Sequence, residues 1–445
     1  MTDKEDLDDD RINLNDNNDN FLNEIAGHVE LQYSLEGENI QDVGNELSET
    51  ENPSTSNAHG DVMITGGFKR KSDFDVPVWR KPRNFEYSRT PINIEAFKME
   101  EIFSEIGSKS PYDIFSLYFD KLIIAEITHF TNEYANQHNT AINVTPVEIR
   151  RFISILYISG YHTLPHIDHY WSVRPDMGIP IVKQALSRNR LKIIKRFLHL
   201  ADNTDLNTVD RFAKVRPLID ALNKKFMQFG VFSHILSVDE QMIPYFGRHS
   251  CKMFIKGKPI RFGFKSWCLC SESGYLFSSI LYGGAATPHD KNVGLGAQTV
   301  LDLLANVTEP DCHIIFFDNF FSSYHLMCLL NERRFLATGT IRENRMAKSP
   351  LRNLKKEKRG AFDQLLDGQQ EILTVRWNDN AVVNVITNNS TAKPIVYAKR
   401  YCRKQKKTIT IPQPKVIQEY NHGMFGVDLH DNAVANYRIR IRGKK

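Results

Sequence analysis

At about residue 233 the hydrophobic pattern of this chain changes period, and no other feature restricts its fold more. From Pro91 to about Phe232 apolar residues recur every three and four positions, the repeat of helices that bury one face. Ser110-Pro111 opens one such run through Ile114, Phe115, Tyr118, Phe119 and Leu122. Thr145-Pro146-Val147-Glu148 has the form of a capping box, with proline at the first helical position, and feeds Ile149, Phe152, Ile153, Leu156 and Tyr157 until Gly160. A third helix is predicted over Arg190–Leu200, its Arg190, Lys192, Lys195 and Arg196 either solvated or facing phosphate. Beyond residue 233 the apolar runs are short: His234–Val238, Gly263–Leu269, Leu276–Tyr282 and Cys312–Phe317, broken by Gly274, Gly283, Gly284 and Pro288 as strands are. Helical patterns near Gln298–Ala305 and Tyr324–Leu330 interleave with the later strands. Such alternation predicts an α/β sheet layer behind an all-α N-terminal domain. Residues 336–411 read as a separate β-rich piece, in which Ile372–Trp377 and Ala381–Ile386 flank Asn378-Asp379-Asn380 as a hairpin.

Charge divides the chain elsewhere. Residues 1–62 carry 17 Asp and Glu against Lys4 and Arg11, a net of −15; with +4 overall, the remaining 383 residues carry +19. An acidic tail on a basic body points to a polyanionic partner, nucleic acid above all. Residues 1–66 hold only Phe21 and Tyr33 as aromatics and cannot offset chain entropy by burial, so they are expected to be disordered. The basic linker 67–90 contains Lys69-Arg70-Lys71 and Arg80-Lys81-Pro82-Arg83, spaced as a bipartite nuclear import signal or as a solvated linker touching DNA phosphates. No apolar run approaches the ~18 residues of a membrane span, and the acidic Met1–Asp10 is unlike a secretory signal, so an intracellular protein without a membrane partner is expected. Six scattered cysteines with no CxxC suit reduced thiols, Cys268 and Cys270 sharing one face of a strand.

Asp239 and Asp318 each follow an apolar strand, where a charge is costly unless it is solvated or bound to a cation. Strand ends are also where α/β sheets hold ligands; the alternative is that each aspartate caps the following turn. Asp428 follows Gly423 and Gly426 and shares a helix face with Asp431 at i, i+3, unless it serves as an N-cap. Carboxylates from two strands and a helix suit two Mg²⁺ or Mn²⁺ ions in a phosphoryl displacement, and the absence of converging His or Cys argues against Zn²⁺. Lys256, Lys258, Arg261 and Lys265 lie between the first two acids as candidate phosphate ligands. From Lys399 onward 12 Lys and Arg face Glu419, Asp428 and Asp431, a net of +9 that favours DNA and includes Arg438, Arg440 and Arg442. Trp171, Trp267 and Trp377 read as core residues, and His430 as an exposed helix position.

These residues fall into an ordered set. Ser237-Val238-Asp239-Glu240-Gln241-Met242, Lys256-Gly257-Lys258-Pro259, Gly263-Phe264-Lys265 with Trp267, Gly274-Tyr275, Phe317-Asp318-Asn319-Phe320-Phe321-Ser322-Ser323 and Gly426-Val427-Asp428 with Asp431 closely resemble the piggyBac family of DDE/DDD transposases. His169-Tyr170-Trp171-Ser172, Arg196-Phe197-Leu198-His199 and Asp202-Asn203 resemble its N-terminal helical region, so the resemblance runs from about residue 75 to 445. It implies an RNase H-like DDE/DDD core, with residues 233–335 as its first part, 336–411 as an insertion and 412–445 as the start of its closing helices, behind a helical domain over 91–232. It implies Asp239, Asp318 and Asp428 as catalytic, metal-binding acids with Asp431 as an accessory ligand. The implied activity is cleavage and joining of DNA at transposon terminal repeats and TTAA sites, in the nucleus, by a homodimer bridging two ends. Family members continue past the third acid through further helices, whereas this sequence ends 17 residues after Asp428, so a C-terminally truncated form, active or reduced to DNA binding, is expected.

Overall fold

A computed structural model of the chain describes residues 69–92 and 95–441, apart from 257, 285–286, 288 and 403–405. The tail expected to be disordered and Arg442 lie outside the described residues. Residues 69–92 form an extended strap containing β1 (Trp79–Arg80). Seven helices follow: α1 (Glu95–Ile106), α2 (Pro111–Tyr118), α3 (Lys121–Gln137), α4 (Pro146–Tyr161), α5 (Pro180–Ala185), α6 (Arg188–Phe197) and α7 (Arg216–Phe226). Then come β2 (Ile235–Pro244), β3 (Met253–Phe254), β4 (Phe262–Ser271), β5 (Leu276–Leu281), α8 (Leu295–Leu303), β6 (Ile314–Phe317), α9 (Tyr324–Glu332) and β7 (Leu336–Thr340). The last part holds β8 (Phe362–Asp367), β9 (Ile372–Asn378), β10 (Val382–Thr387), β11 (Ile395–Cys402), β12 (Lys407–Pro414), α10 (Lys415–Gly423) and α11 (Gly426–Asn436).

The helical part starts where its caps say it should. Ser110 and Thr145 both close capping boxes, accepting from the backbone N–H of Asp113 and Glu148 respectively, with Pro111 and Pro146 following. Ile124, Ile149, Ile155, Leu191 and Ile194 are fully buried between α3, α4 and α6. Each contributes about 1.5–3 kcal/mol by leaving water. The cations expected to be free on the third helix are partly committed. Arg190 forks onto Glu148 at 2.6 and 2.9 Å and donates to the carbonyl of Ile142, while Lys192 pairs with Asp168.

The hydrogen bond from Arg190 holds the Glu148 carboxyl down at about 2. A lowered carboxylate stabilises the fold above its unfolded value near 4.5 and loses that contribution as pH falls through 2. The pair is partly exposed, so after screening by solvent the shift is worth about 1 kcal/mol. Glu148→Gln is therefore expected to lower stability at pH 7 by about that much and to flatten the acid limb between those values. Urea midpoints measured from pH 7 down to 2 check both.

Among the described residues ten strands form one mixed sheet in the order β1-β8-β9-β10-β7-β6-β2-β4-β3, with β5 also pairing β4. β2, β6 and β7 are parallel and the other pairings antiparallel. Residues 336–411, read from their strand and hairpin pattern as a separate β-rich piece, join the main sheet through β7 to β10. β7 is the third parallel strand, and β10, β9 and β8 extend the same sheet from it. Among the described residues β11 and β12 form a second, two-stranded sheet, which packs through Ala398 and Ile411 on Val375 and Trp377. The reason is hydrogen bonding: β7 would otherwise leave an open edge, and β10 closes it through Val385, Ile386 and Thr387.

The basic linker is likewise part of the fold. β1 closes the β8 edge, pairing Trp79 with Asp367 and Arg80 with Leu366. Lys69 pairs with Glu332 and Lys81 with the buried Asp363. Arg70, Lys71, Arg80 and Arg83 stay exposed. No helix of the described residues is long and apolar enough to cross a membrane.

Candidate catalytic carboxylate site

Register places the first two acids side by side. β2 and β6 run parallel with Val238 opposite Phe317, so Asp239 and Asp318 are the next residues at the carboxyl end of that pairing. Asp239 does not end its strand as expected: β2 continues to Pro244 against β4, because Asp239 and Gln241 face one side while Val238 and Met242 are buried. Asp318 does cap its turn, Oδ1 accepting from the Phe320 N–H at 2.8 Å while Ser322 donates to the Asp318 carbonyl at 2.9 Å.

The third acid arrives on α11, which lies across β2 and β4. Its approach requires glycine. A Cβ at Gly426 would sit 2.2 Å from the Ser271 carbonyl oxygen, and one at Gly423 would strike the Phe316 ring at 2.3 Å. Ser237 Oγ donates to the Met424 carbonyl at 2.8 Å and ties the helix entrance to β2. Phe425 holds the N-cap position, so Asp428 lies inside the first turn and does not cap the helix.

Electrostatics show that these acids share one field. Burial pushes Asp239 well above the carboxylate range, with repulsion from Glu240, Asp318 and Asp428 adding and Lys258 opposing. Burial and then Glu240 push Asp318 up to about 6, against the Phe320 and Phe321 N–H groups and Lys258. Asp428 is open to solvent along part of its side chain yet is raised in the same way, and Asp431 is raised by burial while Gln241 donates to it. Lys258 is the counter-charge: Asp239, Glu240 and Asp428 all raise it, and its ammonium lies 3.4 Å from Glu240. The Tyr420 hydroxyl of α10, 3.3 Å from Thr340 Oγ1, feels all three aspartates.

The donor set is all hard oxygen, which fits Mg²⁺ or Mn²⁺. Among the described residues no three His, Cys, Asp or Glu side chains converge into a ready-made cage.

The candidate DNA ligands separate. Lys256 and Arg261 are exposed, Lys258 turns to the acids, and Lys265 lies under three aromatic rings. Arg438 and Arg440 lie beyond α11, where the Arg440 N–H donates to Ser159 of α4. Trp267 and Trp377 are buried as expected, but His430 is half-buried rather than exposed. Tyr420, Arg342 and Arg345 have no signal in the sequence, and Glu240 appears there only within the Ser237–Met242 motif, with no role of its own. Arg345 donates to the Asn319 and Phe320 carbonyls at 3.1 and 2.7 Å and Arg342 to the Asn319 side chain at 3.0 Å, so the segment after β7 braces the Asp318 turn.

A mixed α/β sheet with acids at the carboxyl ends of its parallel strands places them where such sheets hold ligands. A family model described as Transposase IS4 matches residues 110–445, and the chain belongs to that family, within its piggyBac type. PiggyBac transposable element-derived protein 3 of Homo sapiens is 40% identical over 344 residues, which are 76% of this chain and 58% of that protein. The human PiggyBac transposable element-derived protein 2 is 34% identical over 407 residues, 89% of this chain and 68% of its own length. The chain thus spans little more than half of the first of these relatives. A cryo-EM structure of a piggyBac transposase synaptic complex with hairpin DNA superposes with a TM-score of 0.62 at 24% identity, covering 76% of this chain and 70% of that chain, which establishes the shared fold.

Proposed function

We propose that this chain acts on DNA in the nucleus as a piggyBac-type transposase core, cutting and joining strands at terminal repeats and TTAA sites by metal-assisted phosphoryl transfer. The observation that carries this reading is the convergence of Asp239, Asp318 and Asp428 from separate elements, each raised by burial and by Glu240 and each facing the counter-charge of Lys258. The strand order β5-β4-β2-β6-β7, antiparallel up to β2 and parallel beyond it, supports an RNase H-like core.

In this reading Asp239, Asp318 and Asp428 hold Mg²⁺ or Mn²⁺, and Asp431 is an accessory ligand oriented by Gln241. Bound there, the ion would activate an attacking oxygen and stabilise the leaving one. Lys258 offsets the acids' charge, and the Asp318 turn is kept rigid by Arg342 and Arg345. Lys256 and Arg261 meet phosphates beside the acids; Arg438, Arg440 and Arg442 do so past α11. Two copies would bridge two DNA ends. The exposed Arg70, Lys71, Arg80 and Arg83 support nuclear import.

A second reading is a transposase-derived protein that binds DNA without cutting it. Relatives named as element-derived favour it. Labelled DNA carrying the neighbouring genomic terminal repeats and TTAA, incubated with Mg²⁺ and either this chain or Asp239→Asn, separates the two. Cleavage at the repeat end that the substitution abolishes is the expected result. Binding without cleavage by both proteins would establish the second reading, and no binding by either would overturn both.

A further inference from the structure

We infer that Lys265 is a positioning residue for the Asp318 carboxylate and makes no phosphate contact. Its ammonium lies 4.9 Å from the ring centres of Tyr282 and Phe320 and 5.4 Å from that of Trp267. Distances of this order are those at which a ring face attracts a cation, and here three faces do so together. The cage is built by the sheet. Lys265 and Trp267 are two apart on β4 and so share a face, and the Tyr282 N–H donates to the Lys265 carbonyl at 2.9 Å, which brings the second ring alongside. Trp267 then packs 4.9 Å from Tyr282 and lies within 22° of parallel to Phe320. Lys265 takes part in none of the described ion pairs, whereas Lys258 pairs with Glu240.

Phe320 is the link to the chemistry. The residue whose ring receives the ammonium also donates its backbone N–H to Asp318 Oδ1 at 2.8 Å, while its carbonyl accepts from Arg345 at 2.7 Å. The ring is held from the sheet by Lys265 and Trp267, and the peptide on either side of it aims the carboxylate. Without a cation at position 265 the Phe320 ring keeps its packing on Phe321 and Trp267 but loses the ammonium over its face, and the Asp318 turn gains freedom with it. Arginine preserves a cation over the rings; methionine fills the same space without charge.

This inference rests on the reading of Asp318 as a metal ligand, and its test can fail separately from that reading. Mn²⁺ binding by electron paramagnetic resonance and DNA affinity as a function of salt are measured on the full chain and on Lys265→Met, Lys265→Arg, Phe320→Leu and the Lys265→Met/Phe320→Leu double variant. Lys265→Met is expected to weaken Mn²⁺ binding about tenfold, to leave the salt dependence of DNA affinity unchanged, and to be rescued by arginine. Phe320→Leu is expected to weaken it similarly, and the double variant to lose no more than either single one. A Lys265→Met variant with unchanged Mn²⁺ affinity and a DNA salt slope smaller by about one would overturn the inference and make Lys265 a phosphate ligand. Additive losses in the double variant would also overturn it. A parent chain that binds no Mn²⁺ would remove the reading of the acids, and the inference with it.

Discussion

Asp318→Asn is expected to raise the unfolding temperature of the metal-free protein while lowering strand cleavage by about 10³-fold, the scale on which a preorganised charged group acts. The two effects have one origin. Burial and Glu240 push the Asp318 carboxyl up to about 6 from 3.8, so at neutral pH the folded state carries a charge it does not favour. Asparagine keeps the oxygen that accepts the Phe320 N–H and removes the charge. The gain is roughly 1–3 kcal/mol, and at about 1 °C per kcal/mol for a chain of this size the shift is within the reach of calorimetry.

The pH dependence follows the same direction. Between 3.8 and about 6 the folded protein holds a proton that the unfolded chain has released, so this group's contribution to stability falls as pH rises through that window. The asparagine variant lacks that slope. A divalent cation binding only the folded parent would reverse the order, stabilising the parent and not the variant. Scanning calorimetry at pH 5 and 7.5, with and without Mg²⁺, tests each part. A parent more stable than the variant in metal-free buffer at both values would mean that the acids do not strain one another.

Gly426→Ala is expected to cost about 2–4 kcal/mol and to abolish Mn²⁺ binding, a larger effect than any single deletion of a carboxylate would have on the fold. Its Cβ would lie 2.2 Å from the Ser271 carbonyl oxygen and 3.0 Å from the Ser237 side chain. Both neighbours belong to paired strands, Ser237 opposite Cys270 and Leu236 opposite Ser271, so neither can retreat without breaking the sheet. The helix must move instead, and Asp428 and Asp431 move with it. Gly368→Ala, where an added Cβ meets nothing within 4 Å, is the matched control and should be nearly silent. Urea midpoints and Mn²⁺ titration of the two variants separate a steric effect at Gly426 from a general cost of replacing glycine.

Much of this arrangement is legible along the chain, because caps and alternation act over a few residues. Ser110 and Thr145 cap helices whose starts were readable from their prolines, and Ile314–Phe317 is apolar enough to read as a buried strand. The candidacy of Asp239, Asp318 and Asp428 has the same local basis, an acid where an apolar segment stops or a glycine-rich turn begins. Tertiary structure decided which side chains share a space. It joined β7 to β10 with the central strands, because an open strand edge pairs with whatever the fold brings beside it. It carried Lys258 to the acids and Lys265 beneath Trp267, Tyr282 and Phe320, although the two lie seven residues apart in one basic segment. Propensity is a property of neighbours in sequence, whereas desolvation and Coulomb fields depend on neighbours in space.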